Sequence, residues 1–220
     1  MRLAKLLLII EVIGVVLIFC LDWWHVLPAS KTPYLFLLGW TSLRWRGLRW
    51  KDVGLNPRSG RCLTKIVAVG VVTGIGMEAL ELFATQPLLT KLLNQGPDLH
   101  QLQRLVGNMP LLFVAFALAW ILAAFGEETV YRGYLLNRCA DFLGRSTIGW
   151  VASAVLITLL FGFAHIAQGP TGAIENIVDG AILAIIYFAT NRNLLAPIIA
   201  HGIQDTVDVL LIYFGHYPGF

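Results

Sequence analysis

Residues 109–126 read MPLLFVAFALAWILAAFG, eighteen positions without a charge, and the next six are Glu127-Glu128-Thr129-Val130-Tyr131-Arg132. Crossing the hydrocarbon of a bilayer takes a helix of roughly 20 mostly apolar residues, so the run reads as a membrane helix. Two carboxylates directly after it are out of place by the same logic. Ionisable groups in or beside lipid are costly to hold, and function is the default hypothesis for them. Working outward, His165 closes a later apolar run and His201 lies near the start of another.

The composition agrees with a lipid solvent. The chain is 57% hydrophobic and 13% charged, with a mean hydropathy of +0.73. A soluble domain of that composition would expose large apolar patches. Helices are expected near 6–24, 33–43 (short), 63–83, 109–126 and beyond, 147–165, 174–190 and 194–214. The runs are continuous and rich in Leu, Ile and Ala, unlike the alternating strands of a membrane β-barrel. The fold class predicted is all-α and polytopic, an integral membrane protein with about seven transmembrane helices, six to eight. Residues 1–220 are expected to form one membrane domain, with the later polar clusters gathered in 109–214. Cys20, Cys62 and Cys139 are far apart and form no CxxC, which argues against disulfides and a thiolate metal site. The first apolar segment follows Arg2 and Lys5, and Glu11 interrupts it before any small-x-small site, so an uncleaved first helix is expected.

Charge sets the expected orientation. Arg44, Arg46, Arg49, Lys51, Arg58, Arg61 and Lys65 face one acid, Asp52, between two apolar helices. Short loops dense in Lys and Arg stay cytoplasmic. That places the N-terminus inside, 84–108 outside, and 132–145 inside with Arg132, Arg138 and Arg145, as Arg192 also is. The basic loop suits anionic lipid headgroups, and the net charge of +3 calls for no nucleic-acid partner. The 84–108 connection, with Pro87, Gly96 and Pro97, is expected to carry a surface helix.

Three polar clusters follow one another along the chain. At about 100° per residue, Glu128 and Arg132 share a helical face and can pair, leaving Glu127 available. Phe161 lies one turn before His165. His201 and Asp205 are also four apart, which aims an imidazole and a carboxylate to one side. Each alone has an ordinary explanation: a solvated helix end with a surface ion pair, or a polar contact between membrane helices. Four ionisable groups on three helices would each need such an explanation separately.

In this order, EExxxR, FxxxH and HxxxD/N resemble the CPBP family of intramembrane proteases, the CAAX-protease and bacteriocin-processing (ABI) group. The resemblance covers about 109–214, including the lead-in Leu194 to Ala200, and Asp52-Val53-Gly54-Leu55 is similar to a segment found before the family's core. Many relatives carry Asn where this chain has Asp205. The resemblance implies an endopeptidase in which Glu127 activates a water while His165, His201 and Asp205 position the water and the oxyanion. Glu128, Arg132 and Phe161 would support them. The implied substrate is a membrane-associated or lipidated peptide or protein, and the implied setting a prokaryotic plasma membrane, with membrane lipids as neighbours. A carboxylate in a semi-apolar cavity suits a general base, and an imidazole suits an oxyanion.

Rival readings stay open at this point. Zinc could be held by Glu127, His165 and His201 with a position left for water, although no HExxH is present; the expectation is no cofactor. Ser153 lies in no GxSxG context. A proton-relay transporter would use Glu78, Glu81, Glu175 and Asp179, and a non-catalytic scaffold or immunity protein would keep the fold alone. One geometric problem also stands. A helix over 147–165 starting inside puts His165 near the far face, whereas His201 is only a few residues into its helix. Either a helix tilts, breaks or half-inserts, with Gly162, Gly169-Pro170 or Gly172 as break points, or the helix after Gly126 runs deep into the membrane.

Overall fold

The computed structural model describes residues 2–28, 30–56 and 61–218, without the side chains of residues 2–6 and 61. Arg58, and the side chains of Arg2, Lys5 and Arg61, lie outside the described residues. Seven long helices run through the described residues: α1 (Arg2–Trp23), α2 (Thr32–Trp45), α3 (Cys62–Leu93), α4 (Met109–Leu143), α5 (Thr147–Phe163), α6 (Gly169–Ala189) and α7 (Leu195–Tyr213). No strand occurs among the described residues. The four stretches Cys62–Leu93, Met109–Leu143, Ile166–Ala189 and Leu195–Tyr213 are long and apolar enough to cross a membrane, and α5 is a shorter apolar helix. Large side chains such as Phe113 and Ile121 of α4 and Ile148 and Val151 of α5 are exposed on the outside of the bundle. That is the pattern expected where the solvent is lipid, since lipid-facing apolar groups carry no desolvation penalty. The chain is an integral membrane protein.

Two of the expected boundaries are wrong, for one reason. The helix expected at 63–83 continues to Leu93, so the connection expected at 84–108 is shorter, and the stretch 132–145 expected as an inside loop is helical to Leu143. In both places the backbone switches to the wider π pattern: Glu81–Thr85 in α3, and Ala119–Glu127 and Thr129–Leu135 in α4. The i→i+5 pattern lets a helix absorb an irregularity instead of ending. In α3 the irregularity is Pro87, which lacks a donor and crowds the preceding turn. In α4 the Thr129 hydroxyl donates to Phe125 O at 2.8 Å and Gly126 O at 2.9 Å, satisfying carbonyls where the helix switches pattern.

This longer α4 removes the depth problem. Glu127 lies sixteen residues before Leu143, and Phe163 lies sixteen residues after Thr147, so in a tight α4–α5 hairpin both stand about 24 Å from the turn at 1.5 Å per residue. Helix α5 does not break at Gly162. That glycine is a close approach instead, since a Cβ there would meet Ile177 Cγ1 at 2.2 Å and Ala173 O at 2.6 Å of α6. The break comes just after it, at Ala164–Gln168, and Gly169, the first residue of α6, takes φ +80.

Helix α7 starts partway along the bundle, beside Gly133 of α4. Leu194 packs with Leu136 and Tyr187, and its N–H donates to Gly54 O at 2.9 Å. The Asp52-Val53-Gly54-Leu55 segment forms that seat: Tyr187 donates to Val53 O at 3.1 Å, and Asn193 Nδ2 donates to Asn56 O at 2.9 Å. From Leu195 to His201 is six residues, about 9 Å, and from Gly133 back to Glu128 is five, about 7.5 Å, so the two side chains arrive at one level. Their lateral position is set by α3. A Cβ on Gly70 would meet Ala196 O at 2.8 Å, and one on Gly74 would meet Ala200 O at 2.5 Å, the small-xxx-small contact that lets membrane helices touch backbone to backbone.

Candidate active site

Glu127, Phe161, His165, His201 and Asp205 line one cavity of about 400 Å³ between α4, α5, α6 and α7. Glu128 and Arg132 stand behind it, almost without exposure. Arg132 Nη1 donates to Glu128 Oε1 at 2.7 Å and Nη2 donates to Gly180 O at 3.0 Å, while its guanidinium lies 4.5 Å from the centre of the Phe161 ring. An arginine buried this deeply needs every one of these partners, because an unpaired charge in apolar surroundings is strongly unfavourable.

The same Glu128 Oε1 lies 3.0 Å from His201 Nδ1. A carboxylate only accepts, so this contact places the ring proton on Nδ1 and turns Nε2 toward the cavity, where Asp205 Oδ1 is 3.5 Å away. His165 is oriented in a parallel way: its Nδ1 donates to the Phe161 carbonyl at 2.8 Å, leaving Nε2 facing Glu127 Oε2 at 3.9 Å. Phe161 sits among these groups, 4.8 Å from the His165 ring, 6.2 Å from the His201 ring and 5.0 Å edge-on to Tyr131. It separates the two imidazoles from Arg132 and holds all three in place by packing.

Glu127 and Asp205 are both lightly held, Asp205 among the described residues by the 3.5 Å contact with His201 alone. Glu127 Oε1 accepts a long 3.4 Å hydrogen bond from the Thr32 hydroxyl, and the Glu127 side chain keeps 15% exposure toward the cavity. Glu128 therefore braces His201 and Arg132, and Glu127 is left with unused lone pairs. Lys31, just before α2, pins the site by donating to Ala164 O and pairing with Asp22, each at 3.1 Å. A lysine and a threonine ahead of a short helix carry no sequence signal that would assign them to a site formed a hundred residues later.

Other groups around the cavity escaped the motifs. Glu81 of α3, Glu175 and Asp179 of α6, and Gln204 and Asp208 of α7 line the same space. Gln204 Nε2 donates to Glu81 Oε2 at 2.8 Å and to Asp179 Oδ2 at 3.1 Å, and the Tyr217 hydroxyl donates to Glu81 Oε1 at 2.7 Å. Burial pushes the Tyr217 phenol well above its ordinary range, so it stays a neutral donor. The polar stripe at 201, 204, 205 and 208 follows the helical period and was readable as one face of α7. Gln204 is one of the unspecified positions within HxxxD and Asp208 lies beyond it, which is why the motif passed over them.

Outside the cavity, Cys20, Cys62 and Cys139 form no disulfide. No curated protein and no solved structure matches the chain significantly. Residues 109–207 match the family model described as type II CAAX prenyl endopeptidase Rce1-like. That stretch carries the EExxxR, FxxxH and HxxxD positions, and the helices around it are those of a membrane protein; over residues 109–207 the chain is similar to the type II CAAX prenyl endopeptidases.

Proposed function

We propose that the protein hydrolyses a peptide bond in a membrane-associated or lipid-modified polypeptide by a water that Glu127 activates. The observation that carries this reading is the shared cavity: Glu127, which faces a histidine Nε2 at 3.9 Å, two imidazoles with Nε2 turned inward, and Asp205 border a single space. A water between Glu127 and His165 Nε2 would lie within hydrogen-bond reach of both, as general-base catalysis requires. Glu127 takes a proton from that water, the hydroxide adds to the scissile carbonyl, and the proton passes to the departing amine as the C–N bond breaks. His201 acts as an imidazolium, with Nδ1–H held by Glu128 and a second proton on Nε2 beside Asp205 at 3.5 Å, and this Nε2–H donates to the oxyanion.

Zinc-assisted hydrolysis is the second reading. Among the described residues no three His, Cys, Asp or Glu side chains are grouped so that they could hold a metal ion as they stand. The donors would have to regroup around it, so the mechanism is written through the chain's own residues. The test is cleavage of a peptide in detergent micelles by the wild type and by Glu127→Gln. The variant keeps the side-chain shape and the contact with Thr32 but cannot take a proton, and a loss of about 10²–10⁴ in rate is expected. Retention of most of the rate by Glu127→Gln overturns the role given to Glu127.

A further inference from the structure

The cavity extends well past the catalytic groups, and its far wall has a single character. Glu81, Glu175, Asp179 and Asp208 line it beyond Glu127 and Asp205, and among the described residues no Lys or Arg lines it. The donors available to these four carboxylates are few. Both amide N–H groups of Gln204 and the hydroxyl of Tyr217 are spent on Glu81 and Asp179. Glu175 is 5% exposed, lines the cavity, and its Oε1 is buried without a hydrogen-bond partner. A buried acceptor left in that state is unfavourable unless something that enters the cavity supplies the missing donor.

The opposite wall is apolar, built from Leu118, Leu122 and Ala123 of α4 with Leu99 and Leu102 of the preceding connection. Acid on one side and hydrocarbon on the other suit an aliphatic stem that ends in a cation. A lysine ammonium brings three donors and no acceptor and an arginine guanidinium brings five, which matches a wall rich in acceptors and short of donors. A bare metal ion matches it less well, because the carboxylates are spread along the wall and no three of the described ligands converge.

We propose that this acidic wall binds a lysine or arginine side chain of the substrate and thereby sets which peptide bond reaches Glu127. The inference rests on the protease reading for its second half only, since binding of the cation is independent of chemistry. The space fixes the consequence: Glu175 and Asp179 lie on α6 and Glu127 on α4, around one cavity, so a side chain held at the former leaves a neighbouring backbone segment beside the latter.

The experiment uses dansyl-labelled apolar decapeptides that differ at one position, lysine or norleucine, with the lysine moved stepwise along the sequence. Binding is measured by fluorescence to the full chain in micelles carrying Glu127→Gln, and cleavage by mass spectrometry with the wild type. The lysine peptides are expected to bind roughly tenfold tighter than their norleucine partners, the scale of one charge-assisted contact. The cut site should move in step with the lysine. Glu175→Gln, checked for native elution and melting, should remove most of that preference. Equal affinity for lysine and norleucine peptides, or a cut site indifferent to the lysine, overturns the inference while leaving proteolysis in place. Lysine-selective binding without any cleavage sustains the binding site and defeats the protease reading instead.

Discussion

Replacing Arg132 by leucine removes one half of an ion pair whose members expose 2% and 0% of their side chains. Glu128 Oε1 would lose its 2.7 Å donor, Oε2 already has none, and Gly180 O would lose its 3.0 Å donor. Breaking a buried pair in this way destabilises by about 3–5 kcal/mol, because the surviving charge loses its counterion and keeps only the hydrogen bond from His201 Nδ1. Three contacts vanish together here, the stack on Phe161 included, so the upper part of that range is expected. Replacing both members, as Arg132→Leu with Glu128→Leu, takes the orphaned carboxylate away as well. The double variant should therefore recover about 2 kcal/mol or more relative to Arg132→Leu alone, a coupling of the size that contacting residues show. Unfolding in mixed micelles at increasing denaturing detergent, followed by tryptophan fluorescence, reads the wild type, Arg132→Leu, Glu128→Leu and the double variant on one scale. Arg132→Leu and the double variant should also lose activity, since His201 Nδ1 shares the same oxygen. Strictly additive single effects, or an Arg132→Leu protein as stable as wild type, would refute the account of Glu128 as a charge held by its partners.

The remaining expectations concern metal, packing and the site's outer support. Prolonged chelation should leave peptide cleavage intact, and elemental analysis of active protein should find well under one metal ion per chain; zinc at one per chain whose removal and return switch activity off and on would contradict the mechanism. Gly74→Ala places a methyl where Ala200 O is 2.5 Å away, so α3 and α7 must part and carry His201 with them. A loss of about 1–3 kcal/mol in the same unfolding assay, with reduced cleavage, is expected from overpacking of that kind, and unchanged values would show that the contact is not required. Lys31→Met cuts the donor to Ala164 O beside His165; cleavage should fall while the α4 and α7 contacts persist, and full activity would remove Lys31 from the site's support.

The run at 109–126 and the polar residues after it were enough to determine the class of the protein. Lipid forces every backbone group to pair within a helix, so an uninterrupted apolar run has one structural outcome and its sequence is a direct statement of fold. The pairing of Glu128 with Arg132 was legible for a similar reason. Two residues four apart on one helix are neighbours whatever the rest of the chain does, and that holds even through the π pattern of Thr129–Leu135.

What the tertiary structure alone decided is where those local pieces meet. The length of α4 depends on π turns that widen the helix where an ordinary reading ends it, and the start of α7 depends on the seat formed by Val53 and Gly54. Neither is a property of a short window of sequence, and together they set the heights of Glu127, His165 and His201. The acidic wall is the same case carried further. Glu81, Glu175 and Asp208 are isolated charges in three separate helices, and they become one surface only because Gly70 and Gly74 let α3 lie against α7 while Gly162 lets α5 lie against α6. Sequence spacing reports neighbours along a helix; contacts between helices depend on how closely the backbones approach, and that distance is fixed by small residues whose effect appears only once a partner helix is present.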